Sequence, residues 1–396
     1  MSRTGPKRLI TVLITIVLLA VILIPTARWY SERQRLTELK TLKDDCKSCV
    51  RDEDWESLRS AAERWSELEP TDANAWLNLA DALQKLGEPQ KSVEALLKVP
   101  KTDRKVRPAY LLASEMQMRE ARQPLQGIAT LETLRDIDPD AEIVRRQLIS
   151  LYALTLQRQK MIREIYSAFQ YRAEPKEAYV YLMLSDHLSF TNGFQLNTQW
   201  LSAAPDSELF AVARLVQLSD TLQRLEKQDE DTEEQKKSVQ EQMASLRQKY
   251  SKNRALLVTE LERLVLEQNI DAVGELLNDS TDDSDDSLMM RYRGWHCLMT
   301  EDYAKAEGHY RASIKLMPLD WRTWHELADV LRNLKRLDEA ENAAKIAVMG
   351  KELRKICLSL PDASQAPEEL LLQILNYATA CGAKEVEEIL RFRFGQ

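Results

Sequence analysis

The sequence predicts an all-α protein, a solenoid of stacked helical hairpins that follows one apolar N-terminal helix. Three observations carry this. Of 396 residues only 10 are Gly and 13 are Pro, while Leu, Ala, Glu, Lys, Arg and Gln dominate, which is the usage of helix formers joined by short turns. A template occurs twice, with Trp76, Leu79, Ala80, Asp81 and Leu83 recurring at identical spacing as Trp324, Leu327, Ala328, Asp329 and Leu331. Finally, Leu9 to Ile24 carry no charge, and Pro25 to Ala27 extend the stretch.

Composition also excludes. Gly-x-Gly-x-x-Gly, Gly-x-x-x-x-Gly-Lys-Ser/Thr and Gly-x-Ser-x-Gly are all missing from the chain, so phosphate loops and nucleophile elbows have no sequence basis. Four His and five Cys leave little for a metal site or a His-based triad. No enzyme activity, cofactor, metal or small-molecule substrate is expected. The net charge of −8 divides into +6 over residues 1–43 and −14 over the rest. An acidic body argues against nucleic acid, which selects basic surfaces.

Taken from the N-terminus, residues 1–8 form a short basic tail with Arg3, Lys7 and Arg8, and residues 9–27 are expected to be a transmembrane anchor. A spanning helix needs about 20 apolar residues, which this segment just supplies. A cleaved signal peptide is the alternative, but Pro25-Thr26-Ala27-Arg28 makes a poor small-x-small cleavage site. Trp29 and Tyr30 stand where an interfacial aromatic belt falls, and Arg28, Arg33 and Arg35 balance the three cations before the helix. Flanking charge therefore leaves orientation open. The short, purely basic tail favours an exported body, with a cytoplasmic body as the other orientation.

The two templates extend into longer units. Thirty-four residues before Leu327-Ala328 stand Arg293-Gly294, and the unit continues through Ala306 and Tyr310 to Pro318. The next has Ala340, Ala344 and Ala347, and the first is preceded by Asp54-Trp55 and closed by Pro70. This pattern resembles the tetratricopeptide repeat, in which a large residue, a Leu and a small residue on helix A meet an Ala and an aromatic on helix B before a closing Pro. The resemblance is strong over roughly 54–104 and 287–350. It implies a right-handed superhelical solenoid in which Ala80, Gly294 and Ala328 let the paired helices approach, and Pro70, Pro139 and Pro318 stop each B helix.

Between the clear ends the register decays. Pro108 to Asp138 reads as a hairpin, and 141–173 and 175–204 are helical by period. Residues 226–242 hold seven acids and three Lys around Val239, which reads as a solvated helix, a projecting helical pair or a disordered turn. The expected organisation is thus a membrane-proximal helical segment at 28–50, N-terminal repeats at 51–205, divergent helical pairs at 206–286, C-terminal repeats at 287–350 and a helical cap at 351–396.

Candidate functional residues follow from the resemblance. It implies a concave wall lined by helix A residues, here Arg291 and Trp295, then Arg322, His325, Asp329 and Arg332, and in the first unit Asn74, Leu77, Asp81 and Gln84. Cations and an aromatic on one wall suit an extended or acidic peptide. Leu77 with Asp81 departs from the Lys and Asn clamp of the chaperone-binding members. The expected function is a membrane-tethered scaffold or adaptor that binds protein partners. The alternative, a redox or envelope-biogenesis accessory, rests on Cys46-x-x-Cys49. Counting back 34 residues from Ala80 and Leu83 places both cysteines on helix A core positions, as Cys297 falls on that of Leu331, so packing is favoured over chemistry. The run Asp279, Asp282, Asp283, Asp285, Asp286 lacks the Gly and distal Glu of a calcium loop and reads as a linker ending in a helix cap. His187, His296, His309 and His325 share no spacing.

Overall fold

A computed structural model of the chain describes the backbone of residues 6–190, 192–226, 233–278 and 285–395, and the side chains of 28–190, 192–225, 233–278 and 285–395. All the regular structure among the described residues is helical. In chain order the helices are α1 (Pro6–Asp52), α2 (Trp55–Leu68), α3 (Ala73–Lys85), α4 (Pro89–Leu96), α5 (Val106–Arg119), α6 (Pro124–Ile137), α7 (Glu142–Leu154), α8 (Arg158–Tyr171), α9 (Glu177–Met183), α10 (Gly193–Ala203), α11 (Glu208–Glu226), α12 (Glu233–Lys249), α13 (Arg254–Leu266), α14 (Ile270–Asn278), α15 (Ser287–Met299), α16 (Tyr303–Leu316), α17 (Trp321–Asn333), α18 (Leu337–Ser359), α19 (Glu368–Cys381) and α20 (Lys384–Arg393). A 3-10 turn at Ala363–Gln365 precedes α19. The chain divides into two compact units, residues 1–121 and 122–396.

The expected anchor, residues 9–27, lies on the backbone of α1, but its side chains are outside the described residues. Among the described residues no helix is long and apolar enough to cross a membrane.

Short turns join the two helices of seven hairpins, and one backbone device makes them. Glu53, Gly87, Leu156, Gln268, Glu301, Lys335 and Gly382 all have φ between 52° and 78°. In each case the next residue's N–H reaches back five residues to a carbonyl, as Asp54 does to Cys49, Glu88 to Leu83, Asp302 to Cys297 and Arg336 to Leu331, at 2.8–3.0 Å. This is the Schellman end of a helix, where a left-handed residue lets the last carbonyls find donors. Glu53 and Gly87, and then Gln268, Glu301 and Lys335, stand 33 or 34 residues apart, so the period is written in the backbone. Only Gly87 and Gly382 are glycines. The scarcity of Gly thus conceals turns that need the glycine conformation and carry other residues.

In unit 1 the C-terminal half of α1 is helix A of the first hairpin. Leu39 and Cys46 are buried with Leu58, Ala62 and Trp65 of α2. Lys43 pairs with Glu69 at 2.7 Å and Asp72 at 3.0 Å. The frame aligns Cys46 and Cys49 with Ala80 and Leu83, and the segment 28–50 is continuous with the repeats rather than separate from them. In the second hairpin, α3 with α4, buried Ser92 donates to the Ala80 carbonyl at 2.7 Å. Trp76 Nε1 donates to the Pro70 carbonyl at 2.9 Å.

Unit 2 repeats that last bond: Trp324 Nε1 donates to Pro318 at 2.8 Å. At the same six-residue spacing, Arg145 donates to Pro139 from Nε at 3.1 Å and Nη2 at 2.9 Å. Arg145 is buried and pairs with Glu164, so α7 and α8 keep the repeat geometry after losing its Trp. Gly294 admits the Tyr310 ring, since a Cβ there would lie 2.7 Å from it. Ala306, Tyr310, Leu327, Ala328 and Leu331 form one apolar cluster across α16 to α18.

Three regions of unit 2 can be set against expectation, and the third departs from it. In the charged stretch 226–242, residues 227–232 lie outside the described residues; from Glu233 the chain is helical, and Val239 is buried. Asp279, Asp282 and Asp283 also lie outside, whereas Asp286 caps α15 by accepting from Leu288 N at 3.0 Å. The boundary expected at 350/351 falls inside α18, a single helix of 23 residues. The C-terminal helices do more than cover a terminal face. Helix α20 packs on α8 and α18 on α9, so unit 2 closes on itself.

Candidate protein-binding cleft

Helix A of three consecutive hairpins, α13, α15 and α17, brings one set of polar side chains together in unit 2. Glu262 of α13 accepts from the Tyr292 hydroxyl at 2.7 Å and from Arg322 at 2.8 Å. Arg291 lies 3.7 Å from it and makes its close pair with Asp320, the N-cap of α17, at 3.1 Å. Burial pushes the Glu262 carboxyl up, but Arg291 and Arg322 outweigh it and hold the group at about 2. Asp320 follows the same logic: burial opposes its charge, and Arg291 and Thr323 still bring it below the usual carboxylate range. For Glu326, one helical turn on from Arg322, the balance reverses and burial raises its carboxyl to about 7.

Ring closure adds a second wall. Asp186, just after α9, accepts from Arg354 of α18 at 3.1 Å and faces Arg322 at 3.3 Å. Arg158, at the start of α8, donates to the Ser185 carbonyl at 2.6 Å and to Ser287 Oγ at 2.7 Å. Its guanidinium lies 3.4 Å from Asp286, and burial lowers its pKa. His187 faces Asp220 of α11 at 3.4 Å, and that carboxylate raises its pKa. Between these charges and the apolar side chains of α11 to α13, Val216, Val239, Met243, Leu256 and Val258, lies a cavity of about 1100 Å³. A recess of about 190 Å³ adjoins it, lined by Glu262, Val265, Leu266, Arg291, Trp295, Arg322 and Glu326. Leu266, 73% exposed, lines both.

The groove residues named from the sequence separate into groups. Arg322 lines the cleft and the recess, and Arg291 and Trp295 line the recess. Arg291 is only 2% exposed and committed to Asp320, so it is not a free cation on an open wall. Trp295 is packed with Leu261, Leu264 and Tyr292. His325 and Arg332 are exposed, Asp329 pairs with Arg332, and none of the three lines either cavity. In unit 1, Asn74 is exposed and bonded to Lys105, while Leu77, Asp81 and Gln84 are half-buried. Asp186, Arg158 and Arg354 were not foreseen, because closure of the unit brings them together.

The cysteines give the redox alternative no support. All five are free, and burial raises the Cys46 thiol to about 11, the opposite of an activated thiolate. Among the described residues no group of three His, Cys, Asp or Glu side chains could hold a metal ion.

The hairpins define an all-α helical-repeat protein. The tetratricopeptide-repeat family model matches residues 61–94, from within α2 into α4. No curated protein matches the chain. Among solved structures it is similar to the APC/C hetero-tetramer Cut9–Hcn1 (10% identity, covering 89% of this chain and 96% of that chain, TM-score 0.26). It is also similar to yeast Tom70 (12% identity, 90% and 92% covered, TM-score 0.27) and to a monomeric mutant of IFIT1 with Gppp-AAAA (12% identity, 89% and 75% covered, TM-score 0.33). Likeness at this level transfers no ligand and no residue role.

Proposed function

We propose that the protein is a membrane-tethered adaptor whose unit 2 cleft holds a segment of a protein partner, with residues 9–27 as the tether and the body on the exported side. The observation that carries the binding site is Leu266, a largely exposed leucine at the junction of two cavities that have charged pairs on one wall and apolar side chains on the other. Exposed apolar groups in a concave, charge-rimmed site mark binding surfaces. An amphipathic or extended peptide meets both walls, and because each cleft arginine already has a carboxylate or carbonyl partner, the fitting peptide carries both signs of charge rather than acid alone. Tethering raises the local concentration of whatever the cleft holds.

Leu266→Asp tests the site without touching the core. Partners crosslinked in intact membranes and identified by mass spectrometry should fall about tenfold, the effect of losing one apolar anchor of about 1–2 kcal/mol, while far-UV circular dichroism stays unchanged. Undiminished capture would remove the cleft from the reading. C-terminal alkaline phosphatase and GFP fusions test the exported body: phosphatase activity is expected, and GFP fluorescence without it would reverse the orientation.

A further inference from the structure

Unit 2 is closed by a seam between parts of the chain far apart in sequence. On one side stand the end of α8, α9 and the residues following each; on the other stand α17, α18 and α20. Arg354 and Arg322 meet Asp186 at the inner end, where all three line the cleft. At the outer end Arg393 donates to Glu174 Oε1 at 3.1 Å and to its carbonyl at 3.0 Å, and Arg172 stacks over the Phe392 ring at 3.8 Å. These are arginine bonds to carboxylates and an aromatic, and Phe392 is half-exposed. The interfaces between consecutive hairpins carry continuous apolar clusters beside their polar pairs, such as Arg291 with Asp320.

We propose that unit 2 opens at this seam, with α18 to α20 parting from α8 and α9, and that the opening controls entry to the cleft. The second half rests on the adaptor reading above; the first does not. Three physical facts carry it. Each hairpin keeps its sequence neighbours when the seam parts, so opening exposes little of the repeat core and is a local event rather than unfolding. Asp186 and Glu174 are nearly buried, but their arginines Arg322, Arg354 and Arg393 keep partial water access, so salt reaches and weakens these pairs, whereas it does not weaken apolar contacts. Asp186 belongs both to the seam and to the cleft wall, so separating it from Arg322 and Arg354 widens the cavity at that point.

The chain carries its own reporter. Cys381 is buried at the end of α19, the helix paired with α20, which packs on α8, so parting of the seam uncovers the helix pair that holds it. N-ethylmaleimide modification of Cys381 in the full chain, followed by mass spectrometry, measures opening with no partner present. The rate should rise about fivefold between about 0.05 and about 1 M sodium chloride, and about tenfold in Arg393→Ala, which removes two charge-assisted bonds. Hydrogen exchange in α15 and α16 should not change. A Cys381 rate indifferent to salt, or one that never exceeds the exchange rate of α16, overturns the proposal. If Arg393→Ala also accelerates exchange in α16, the salt series on the unaltered chain decides alone. Failure here leaves the adaptor reading intact, and loss of partner capture in Leu266→Asp leaves the seam intact.

Discussion

At the scale of single residues, Glu326 couples unit 2 to pH. It faces Arg291 from α15, Tyr310 from α16, and Asp320 and Arg322 from its own helix. Burial outweighs the two guanidiniums and raises its carboxyl to about 7 from the ordinary 4.5. The folded protein therefore keeps this proton where the unfolded chain has released it. The stability Glu326 contributes is complete below about pH 4.5, falls as pH rises, and is lost by about pH 7. The full span is at most about 3 kcal/mol at 1.36 kcal/mol per pKa unit. Glu326→Gln keeps the shape and cannot ionise, so it should raise the denaturation midpoint at pH 8 and leave it unchanged at pH 4. Urea titrations at the two values measure this; equal shifts at both would show that the group carries no pH linkage.

At the scale of elements, the turns are where composition and conformation disagree. Glu301 and Lys335 hold φ of 60° and 62°, which crowds Cβ against the following carbonyl and costs about 1 kcal/mol for anything but Gly. Neither side chain is buried. Glu301→Gly with Lys335→Gly should therefore stabilise unit 2 by about 1–2 kcal/mol, read as a rise of a few degrees in the melting temperature, and a fall would mean that these side chains work in the turn. The same residues show what the sequence could reveal. Trp76 and Trp324 announced their helices because each carries out the same bond to a closing Pro, and Gly294 could be paired with Tyr310 because the repeat fixes the distance between them. Arg145 concealed its hairpin, since a guanidinium reaches the Pro139 carbonyl as an indole does but leaves no aromatic signature. Leu156, Gln268, Glu301 and Lys335 concealed the turns, because nothing in those residue types calls for a left-handed backbone. Of the cleft and recess lining, Arg291, Trp295 and Arg322 had been named as helix A residues through the resemblance, but the cavities they line had not. Asp186 was not named either: it is held at the cleft wall by Arg354, 168 residues away, through a closure that no 34-residue pattern contains.

At the scale of the molecule, closure changes how unit 2 should fold. An open solenoid needs only contacts between neighbours and can propagate from any hairpin. The seam instead joins Asp186 to Arg354 and Glu174 to Arg393, 168 and 219 residues apart, and such contacts form only after the loop-closure entropy has been met. The hairpins between them must already be in place to bring the partners together. The seam is therefore absent from the transition state and forms last. Interactions made after the barrier act on unfolding alone. Arg354→Ala combined with Arg393→Ala should cost enough, about 2 kcal/mol for two charge-assisted pairs, to be read reliably in a chevron. Followed by stopped-flow tryptophan fluorescence, the double variant should unfold more than tenfold faster and refold at the parental rate, with φ below about 0.2. A slowed refolding limb with unchanged unfolding would place the seam in the folding nucleus, and unit 2 would then assemble around its closure rather than end with it.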